Sequence, residues 1–459
     1  MEPFYQLFRA GGASAEESLL LGYLKSGLDR KALNPRSRRL VMFLTNIVYL
    51  LLSALAALAS EAMTVRAGST CDTKGGKVLC DPEWVINSFV LRGLQTTLAL
   101  TAVLIALLVW LGWKKRSGLS SYPCSITSMV DILRHSDREV IQDLQQINPD
   151  ANSEEVGKAL AGTRYGLKRM ETLSNHPQYG ITRLTVDDIS VAANGQHTIP
   201  SVPWYKRVPW FTVICVLLHL SLFCVILLFV LSGNDNYTVN LLGVDGHSHH
   251  LVKLQFKFLD GTVFGPRFVL SIVAMLISDY WEEVEVEVQI MSPYRRLSRR
   301  DLTKKELDRI NLHGVPFTMV GKALWAGNWF HAFVAVVTVL SYVLVILVTG
   351  VPYNYGQIAN LSLISSAASV GVLGVMIITM IAVFVWKRSA PKMPRKPDTL
   401  ANVWLLLCAS KTLEDMVDAD SEQARERNKY WLGKAQGLDG VERWMVDEQV
   451  DEIERKKGK

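Results

Sequence analysis

The sequence lacks the short motifs that mark the common classes of enzyme. It contains no Walker-type glycine loop, no Gly-x-Ser-x-Gly elbow and no His-Glu-x-x-His pair. The segments GVDG and GLDG read as turns, and no pair of carboxylates lies within an apolar run. We therefore expect a protein that is not an enzyme, with no catalytic residues, no cofactor and no resident metal.

Features of nucleic-acid binding are also missing. No basic helix is interleaved with aromatic residues, and no zinc-finger spacing occurs. The formal net charge of +6 is mild, and its basic residues gather beside apolar runs. We attribute this charge to membrane topology and predict no nucleic-acid partner.

What the sequence has is long apolar runs. Hydrophobic residues make up 49% of the 459 residues, yet 20% are charged, and the two populations are segregated. Runs of about 20 apolar residues are long enough to cross a hydrocarbon core of about 30 Å. We predict an all-α membrane protein with small mixed α/β cytosolic segments and six transmembrane helices in three hairpins, at 40–60, 89–113, 210–231, 263–281, 324–349 and 363–386.

Basic residues next to the apolar runs predict the orientation. Lys114-Lys115-Arg116 follows the second span, Lys206-Arg207 precedes the third, and Lys387-Arg388 follows the sixth. Such residues favour the cytosolic side, so both termini are expected there. The first apolar run follows a long charged leader and is expected to stay as an anchor, in the plasma membrane or a secretory-pathway membrane.

These features divide the chain into five segments. They are a leader with the first hairpin (1–113), a cytosolic segment (114–208), a second hairpin (209–290), a repeat of the leader with the third hairpin (291–389), and a C-terminal cytosolic segment with a charged tail (390–459). Within 114–208, the apolar face of Ile126, Met129, Val130 and Leu133 predicts a helix. Asn152 with Glu155 predicts a capping box.

A repeated motif indicates an internal duplication. The first copy is Met1, Pro3, Phe4 and Leu7, and the second copy is Met291, Pro293, Tyr294 and Leu297. Polar and soluble positions match in the same order: Trp113-Lys114 with Trp386-Lys387, Pro123 and Ser136 with Pro397 and Ser410, and Tyr165-Gly166-Leu167 with Tyr430-Trp431-Leu432. Two unrelated membrane hairpins would resemble each other in hydrophobicity alone, so these matches favour a true repeat.

The stretches MEPFYQLFRAGGASAEESLLLGYL and SDYWEEVEVEVQIMSPYRRL, with the Trp-Lys-Lys-Arg-Ser-Gly-Leu exit from the second span, resemble a fungal multi-pass membrane family. Its repeated domain has no known function, and the resemblance extends over both halves. Members typically carry apolar spans ahead of the first motif, whereas this sequence starts at the motif. The resemblance implies a membrane fold and supplies no activity or catalytic residue.

Two extracytosolic features follow from this topology. Cys71 and Cys80 lie between the first two spans, where oxidation is permitted, so we expect a disulfide that stabilises the loop by about 2–3 kcal/mol. The alternative is two free thiols. Asn236-Tyr237-Thr238 is an acceptor sequence for N-glycosylation on the same side, although its closeness to the third span can hinder the transferase.

Ionisable groups within the apolar runs are few. His219 lies near the middle of the third span, and Asp279 lies near the cytosolic end of the fourth, so the two form a possible intramembrane polar site. A buried histidine that hydrogen-bonds another helix is the simpler reading of His219. The alternation of Glu and Val after Asp279 is compatible with either a strand or a continuing helix.

The preferred functional hypothesis is a non-enzymatic scaffold or regulator that lies in the lipid bilayer and binds unknown cytosolic protein partners through its duplicated segments. The alternative is a transporter or channel built from parallel repeats. A third hypothesis is an intramembrane enzyme that uses His219, His331 and Asp279. The sequence predicts no oligomeric state.

Overall fold

Where the structure describes it, the chain is mostly helical, with four small sheets. The computed structural model describes residues 2–8, 11–22, 40–74, 77–86, 88–114, 126–170, 178–184, 210–231, 238–239, 254–255, 266–310, 314, 316–351, 359–391, 393–408, 410, 429–437 and 440–448. Its helices are α1 (Glu2–Leu7), α2 (Leu40–Ala62), α3 (Ser88–Lys114), α4 (Ile126–Arg134), α5 (Arg138–Gln145), α6 (Ser153–Ala159), α7 (Trp210–Leu231), α8 (Pro266–Leu297), α9 (Lys304–Ile310), α10 (Pro316–Trp325), α11 (Trp329–Thr349), α12 (Ala359–Arg388) and α13 (Leu400–Leu405).

The strands are short and antiparallel. They are β1 (Ala13–Ser14), β2 (Met63–Lys74), β3 (Lys77–Ile86), β4 (Arg164–Met170), β5 (Gln178–Leu184), β6 (Thr238–Val239), β7 (Leu254–Gln255), β8 (Leu302–Thr303), β9 (Lys429–Gln436) and β10 (Glu442–Glu448). β2 pairs with β3 and β6 with β7, while β1-β4-β5 and β8-β9-β10 form two three-stranded sheets.

Among the described residues, three helices are long and apolar enough to cross a membrane. They are α3 at Ser88–Leu111, α11 at Trp329–Thr349 and α12 at Ile364–Arg388. Shorter apolar stretches lie in α2 (Phe43–Leu52) and α7 (Val213–Leu227). The predicted span 263–281 falls on α8, which is not among these helices, so the count of six spans stays a prediction.

The helix that contains most of the predicted fifth span, 324–349, begins five residues after the start of that span. α10 ends at Trp325 and α11 begins at Trp329, with Gly327 between them at a φ of +64°. The backbone N–H of Asn328 donates to the carbonyl of Ala323 at 2.8 Å, which closes the turn. A left-handed residue cannot continue an α-helix, and glycine adopts this conformation without a steric cost.

The Glu/Val segment after Asp279 is helical. α8 continues without interruption for 32 residues and includes the second motif, with Pro293 near its end. Helical spacing places the glutamates against side chains from two neighbouring helices, whereas a strand would alternate them between two faces.

The two three-stranded sheets have the same connectivity. In each, a two-residue strand that follows one motif copy pairs with the first strand of a later hairpin. Ala13 lies opposite Tyr165 and Leu302 lies opposite Tyr430, and both tyrosines are buried. Burial raises the pKa of Tyr165 to about 12, so its phenol stays neutral. The tyrosines matched in sequence therefore occupy equivalent positions.

These sheets and the short helices share one hydrophobic core, which we call the mixed core. It contains both motif copies, through Phe4 and Leu7 and through Tyr294 and Leu297. The predicted face of α4 is buried here, at Ile126, Met129, Val130 and Leu133, and the predicted capping box at the start of α6 is present. A second core, the helical core, is built from α7, α8, α11 and α12.

The two halves exchange contacts within the mixed core. The leader after the first motif reaches α13, because the N–H of Ala401 donates to the Leu19 carbonyl at 3.0 Å and Gly22 forms a bridge with Thr399. In return, α9, which follows the second motif, packs on α4. Each leader thus packs on the helix of the other half.

Candidate functional site: a polar seam along α8

One face of α8 carries polar residues at intervals of three and four positions. This spacing aligns them in a single stripe along a helix. The stripe consists of Ser278, Glu282, Glu285, Gln289, Ser292 and Arg296.

The stripe faces α11 and the turn before it, which run antiparallel to α8. Ser278 Oγ lies 3.0 Å from Ser341 Oγ, and Tyr342 Oη donates to Glu282 at 2.7 Å. Farther along, Asn328 Nδ2 donates to Ser292 Oγ at 2.6 Å, and Arg296 donates to the Gly327 carbonyl at 2.8 Å. We call these contacts the polar seam.

The seam contains a buried carboxylate and a buried histidine. His331 Nε2 lies 3.4 Å from Glu285 Oε1, and the two side chains are 1% and 3% exposed. An unpaired charge is costly in such an environment, so contact between the two groups is what makes the burial of either tolerable.

Two acidic residues of α8 contact a neighbouring apolar helix. Glu282 and Glu285 follow the predicted end of the fourth span at residue 281, yet they contact Tyr342 and His331 of α11. Both carboxylates therefore contact α11, which is one of the three described helices that are apolar enough to cross a membrane. Sequence analysis missed the seam, although the seven-residue period of polar residues was a usable signal.

His219 is fully buried and hydrogen-bonded at both ring nitrogens. Trp281 Nε1, which can only donate, lies 3.0 Å from Nε2, so Nε2 accepts. Nδ1 therefore carries the proton and donates to the Cys215 carbonyl at 2.6 Å. Both nitrogens of the neutral ring are occupied by structural partners.

The other predicted intramembrane residue, Asp279, has a different partner. It accepts a hydrogen bond from Tyr49 of α2. His219, His331 and Asp279 thus contact Trp281, Glu285 and Tyr49 respectively. The structure gives the three groups separate environments, with no shared contact among their described hydrogen bonds.

α8 is also tied to the end of α12 by charge. Glu287 accepts from Lys387 and, at 2.6 Å, from Lys396. Arg295 donates to Ser389 Oγ at 2.6 Å and lies 4.6 Å from the centre of the Trp386 ring. Lys387, which was predicted to end the sixth span, therefore has Glu287 as its acidic partner.

The remaining predicted sites are described in part. Backbone register places Cys71 of β2 opposite Cys80 of β3, and their pairing in a disulfide stays a prediction. Asn236 and Met1 lie outside the described residues. Among the cysteines whose side chains are described, Cys215 and Cys224 are free thiols. Within the same described part, no three His, Cys, Asp or Glu residues come together as metal ligands.

Comparison with known proteins adds one finding. Residues 264–353 match the sequence model of a family described as a protein of unknown function (DUF3433). No curated protein and no solved structure matches the chain. The matched segment contains all of α8 through α11, so the polar seam lies entirely within the part of the chain that resembles this family.

Proposed function

We propose that the protein is an integral membrane protein with six spans and cytosolic termini, which acts as a scaffold or regulator through its duplicated cytosolic segments. Three apolar helices support membrane insertion, and the apolar parts of α2, α7 and α8 supply the other three spans. The mixed core then lies in the cytosol. The host membrane is the plasma membrane or one of the secretory pathway.

The observation that carries the proposal is the continuity of α8. Ile277, Trp281 and Val288 belong to the helical core, while Tyr294 and Leu297 of the same helix belong to the mixed core. A helix of 32 residues is about 48 Å long and transmits displacement as a rigid element. Binding of a partner to the mixed core can therefore bias the packing of the membrane helices, which is what a regulator requires.

The proposed duplication is supported by three equivalences. The motif copies are both helical and both buried, the two sheets share one connectivity, and the matched tyrosines share one register position. The exchanged leaders place the two halves in reciprocal contact, as in an isologous interface between two subunits.

Proximity labelling from the C-terminus of the full chain tests the scaffold function. We expect the same cytosolic proteins to be labelled by the wild type and by Glu285→Gln, and to be lost when Trp404→Ala unfolds the mixed core. An unchanged set of labelled proteins in the Trp404→Ala chain, with its unfolding demonstrated, would contradict a role for the cytosolic segments.

A transporter is the second candidate, and the buried Glu285–His331 pair favours it. Buried ionisable residues in membrane helices often serve ion or proton pathways. Proton and solute flux into liposomes reconstituted with the full chain separates the two functions. Flux that is abolished by Glu285→Gln would establish the transporter, and its absence from the wild type would exclude this class.

The proposed orientation makes a prediction for the β2–β3 hairpin. If Cys71 and Cys80 form a disulfide outside the cytosol, an impermeant maleimide added to intact cells labels them only after reduction. Cys71→Ser leaves Cys80 free and labelled without reductant. If the chain lies in an organelle membrane, this labelling also requires that membrane to be opened. Labelling of Cys80 in this variant that is absent from intact cells but appears when the plasma membrane alone is opened, with the organelle membranes still sealed, would reverse the topology.

A further inference from the structure

Two tryptophans are exposed at the turn between α10 and α11, and Phe317 is exposed at the far end of α10. Trp325 is 74% exposed, Trp329 is 72% exposed and Phe317 is 65% exposed. The opposite face of α10 packs through Met319 and Ala323 against α11. α10 is therefore apolar on both faces, and the outer one is uncovered in the part of the chain that the structure describes.

Arginines surround the same turn. The Arg309 guanidinium lies 5.3 Å from the centre of the Trp325 ring, and Arg296 donates to the Gly327 carbonyl. Arg300 follows Arg296 by one helical turn, and its backbone N–H donates to the Arg296 carbonyl at 3.0 Å, so the two side chains leave the same side of the turn. Three cationic groups thus converge beside two exposed tryptophans.

Nearby acidic groups offset only part of this charge. Glu306 lies 3.4 Å from Arg300, and Asp301 and Asp308 are exposed on the same segment. Between residues 295 and 309, seven Arg or Lys residues face three Asp or Glu residues, which leaves a net charge of +4. The segment therefore fits an anionic partner.

We propose that this turn, with Arg296, Arg300, Arg309, Trp325 and Trp329, is a binding site for the headgroups of anionic phospholipids in the cytosolic leaflet. The inference rests on the proposed membrane insertion of α11, whose first residue is Trp329. Tryptophan is enriched at the boundary between headgroups and acyl chains, which is where the first residue of a span lies.

The chemistry at the turn favours a lipid over a free phosphate compound. Guanidinium groups bind phosphate oxygens in a bidentate manner. Each basic residue beside a membrane raises the affinity for anionic lipids about fivefold. The exposed faces of Phe317, Leu324 and Trp325 offer an adjoining surface for acyl chains. A soluble phosphate would leave that surface in water.

The test measures lipid binding to the purified full chain in an uncharged detergent. The probes are short-chain phosphatidylserine, short-chain phosphatidylcholine and free inositol phosphate. Arg300→Gln/Arg309→Gln removes two cations of the site and keeps the structural bond from Arg296. The matched control, Lys158→Gln/Arg183→Gln, removes two exposed cations from the surface of the elements that enclose the mixed core.

We expect the wild type to prefer phosphatidylserine over phosphatidylcholine and to bind inositol phosphate more weakly than the anionic lipid. The double variant at the turn should lose about 25-fold in affinity for phosphatidylserine, whereas the control double variant should lose less than threefold. Trp325→Ser should weaken lipid binding and leave inositol phosphate binding unchanged.

Equal binding of the two lipids by the wild type, or equal losses in the two double variants, would overturn the proposal. Inositol phosphate binding as tight as that of phosphatidylserine would also overturn it, in favour of a soluble ligand. Alkaline carbonate extraction of cell membranes separates this outcome from the proposed function. Release of the wild-type chain by carbonate would contradict membrane insertion, whereas retention without lipid preference would contradict only the lipid site.

Discussion

Trp404→Ala should destabilise the mixed core by about 3–5 kcal/mol, because it removes a large, fully buried side chain and leaves a cavity in its place. Trp404 lies on α13, which packs against α4, α5 and α6 of the other half. A loss of this size is a large part of the 5–15 kcal/mol that stabilises a typical domain. Protease sensitivity of the cytosolic segments in sealed, correctly oriented vesicles measures it.

Trp404→Phe is the matched control for this variant. The indole N–H of Trp404 is buried and has no hydrogen-bond partner among the described residues, so phenylalanine removes a polar group whose burial is unfavourable. We expect Trp404→Phe to retain most of the protease resistance of the wild type. An equal loss in the Phe and Ala variants would show that packing volume does not explain the effect.

Trp281→Ala should have a comparable effect on the helical core. Trp281 is fully buried, and its ring meets His219 and Tyr280 edge to face at centroid distances of 6.3 and 6.2 Å. Removing the indole creates a cavity between α7, α8 and α11, and it also leaves His219 Nε2 without its donor. We expect a loss of about 3–5 kcal/mol, measured by unfolding the full chain in mixed micelles of increasing sodium dodecyl sulfate content.

Phenylalanine at the two tryptophan positions should have different effects. Trp281→Phe deletes the hydrogen bond to His219, and interhelical hydrogen bonds in membranes contribute about 0.6–2 kcal/mol. Trp404→Phe deletes no hydrogen bond. Two results together would show that the assigned tautomer of His219, in which Nε2 accepts from Trp281, contributes nothing to stability. One is a Trp281→Phe variant that is as stable as the wild type. The other is no gain in stability when His219→Leu is added to Trp281→Ala.

Local sequence signals predicted the elements whose structure is decided locally. The apolar face of α4 and the Asn152–Glu155 capping box depend on residues within one helical turn, and both are present. The four residues matched as Tyr165 with Tyr430 and Phe4 with Tyr294 are all buried in the mixed core, and the duplication itself stays a prediction. Such matches can be recognised because a buried position favours large apolar or aromatic residues, and the sequence shows the residue type.

Contacts between distant segments were beyond the same reasoning. Sequence hydropathy ended the fourth span at residue 281 because glutamates follow, yet α11 supplies Tyr342 and His331 as their partners. The break between α10 and α11 was not predicted, because hydropathy does not register a left-handed glycine at position 327. The exchange of leaders between halves leaves no periodic signal at all, since it depends on the tertiary contacts of Leu19 with Ala401.

The most direct test of the account is a disulfide between the two exchanged segments, in the double variant Gly22→Cys/Thr399→Cys of the full chain. Residues opposite each other in an antiparallel bridge have Cα atoms about 4.5–5.5 Å apart, which suits a disulfide. With a protease site inserted between residues 185 and 209, mild oxidation should hold the two cleaved parts together in a denaturing gel without reductant. In each single variant the two cleaved parts should separate, which would show that the native cysteines do not link them. Separation of the double variant under the same oxidation would contradict a mixed core shared by the two halves.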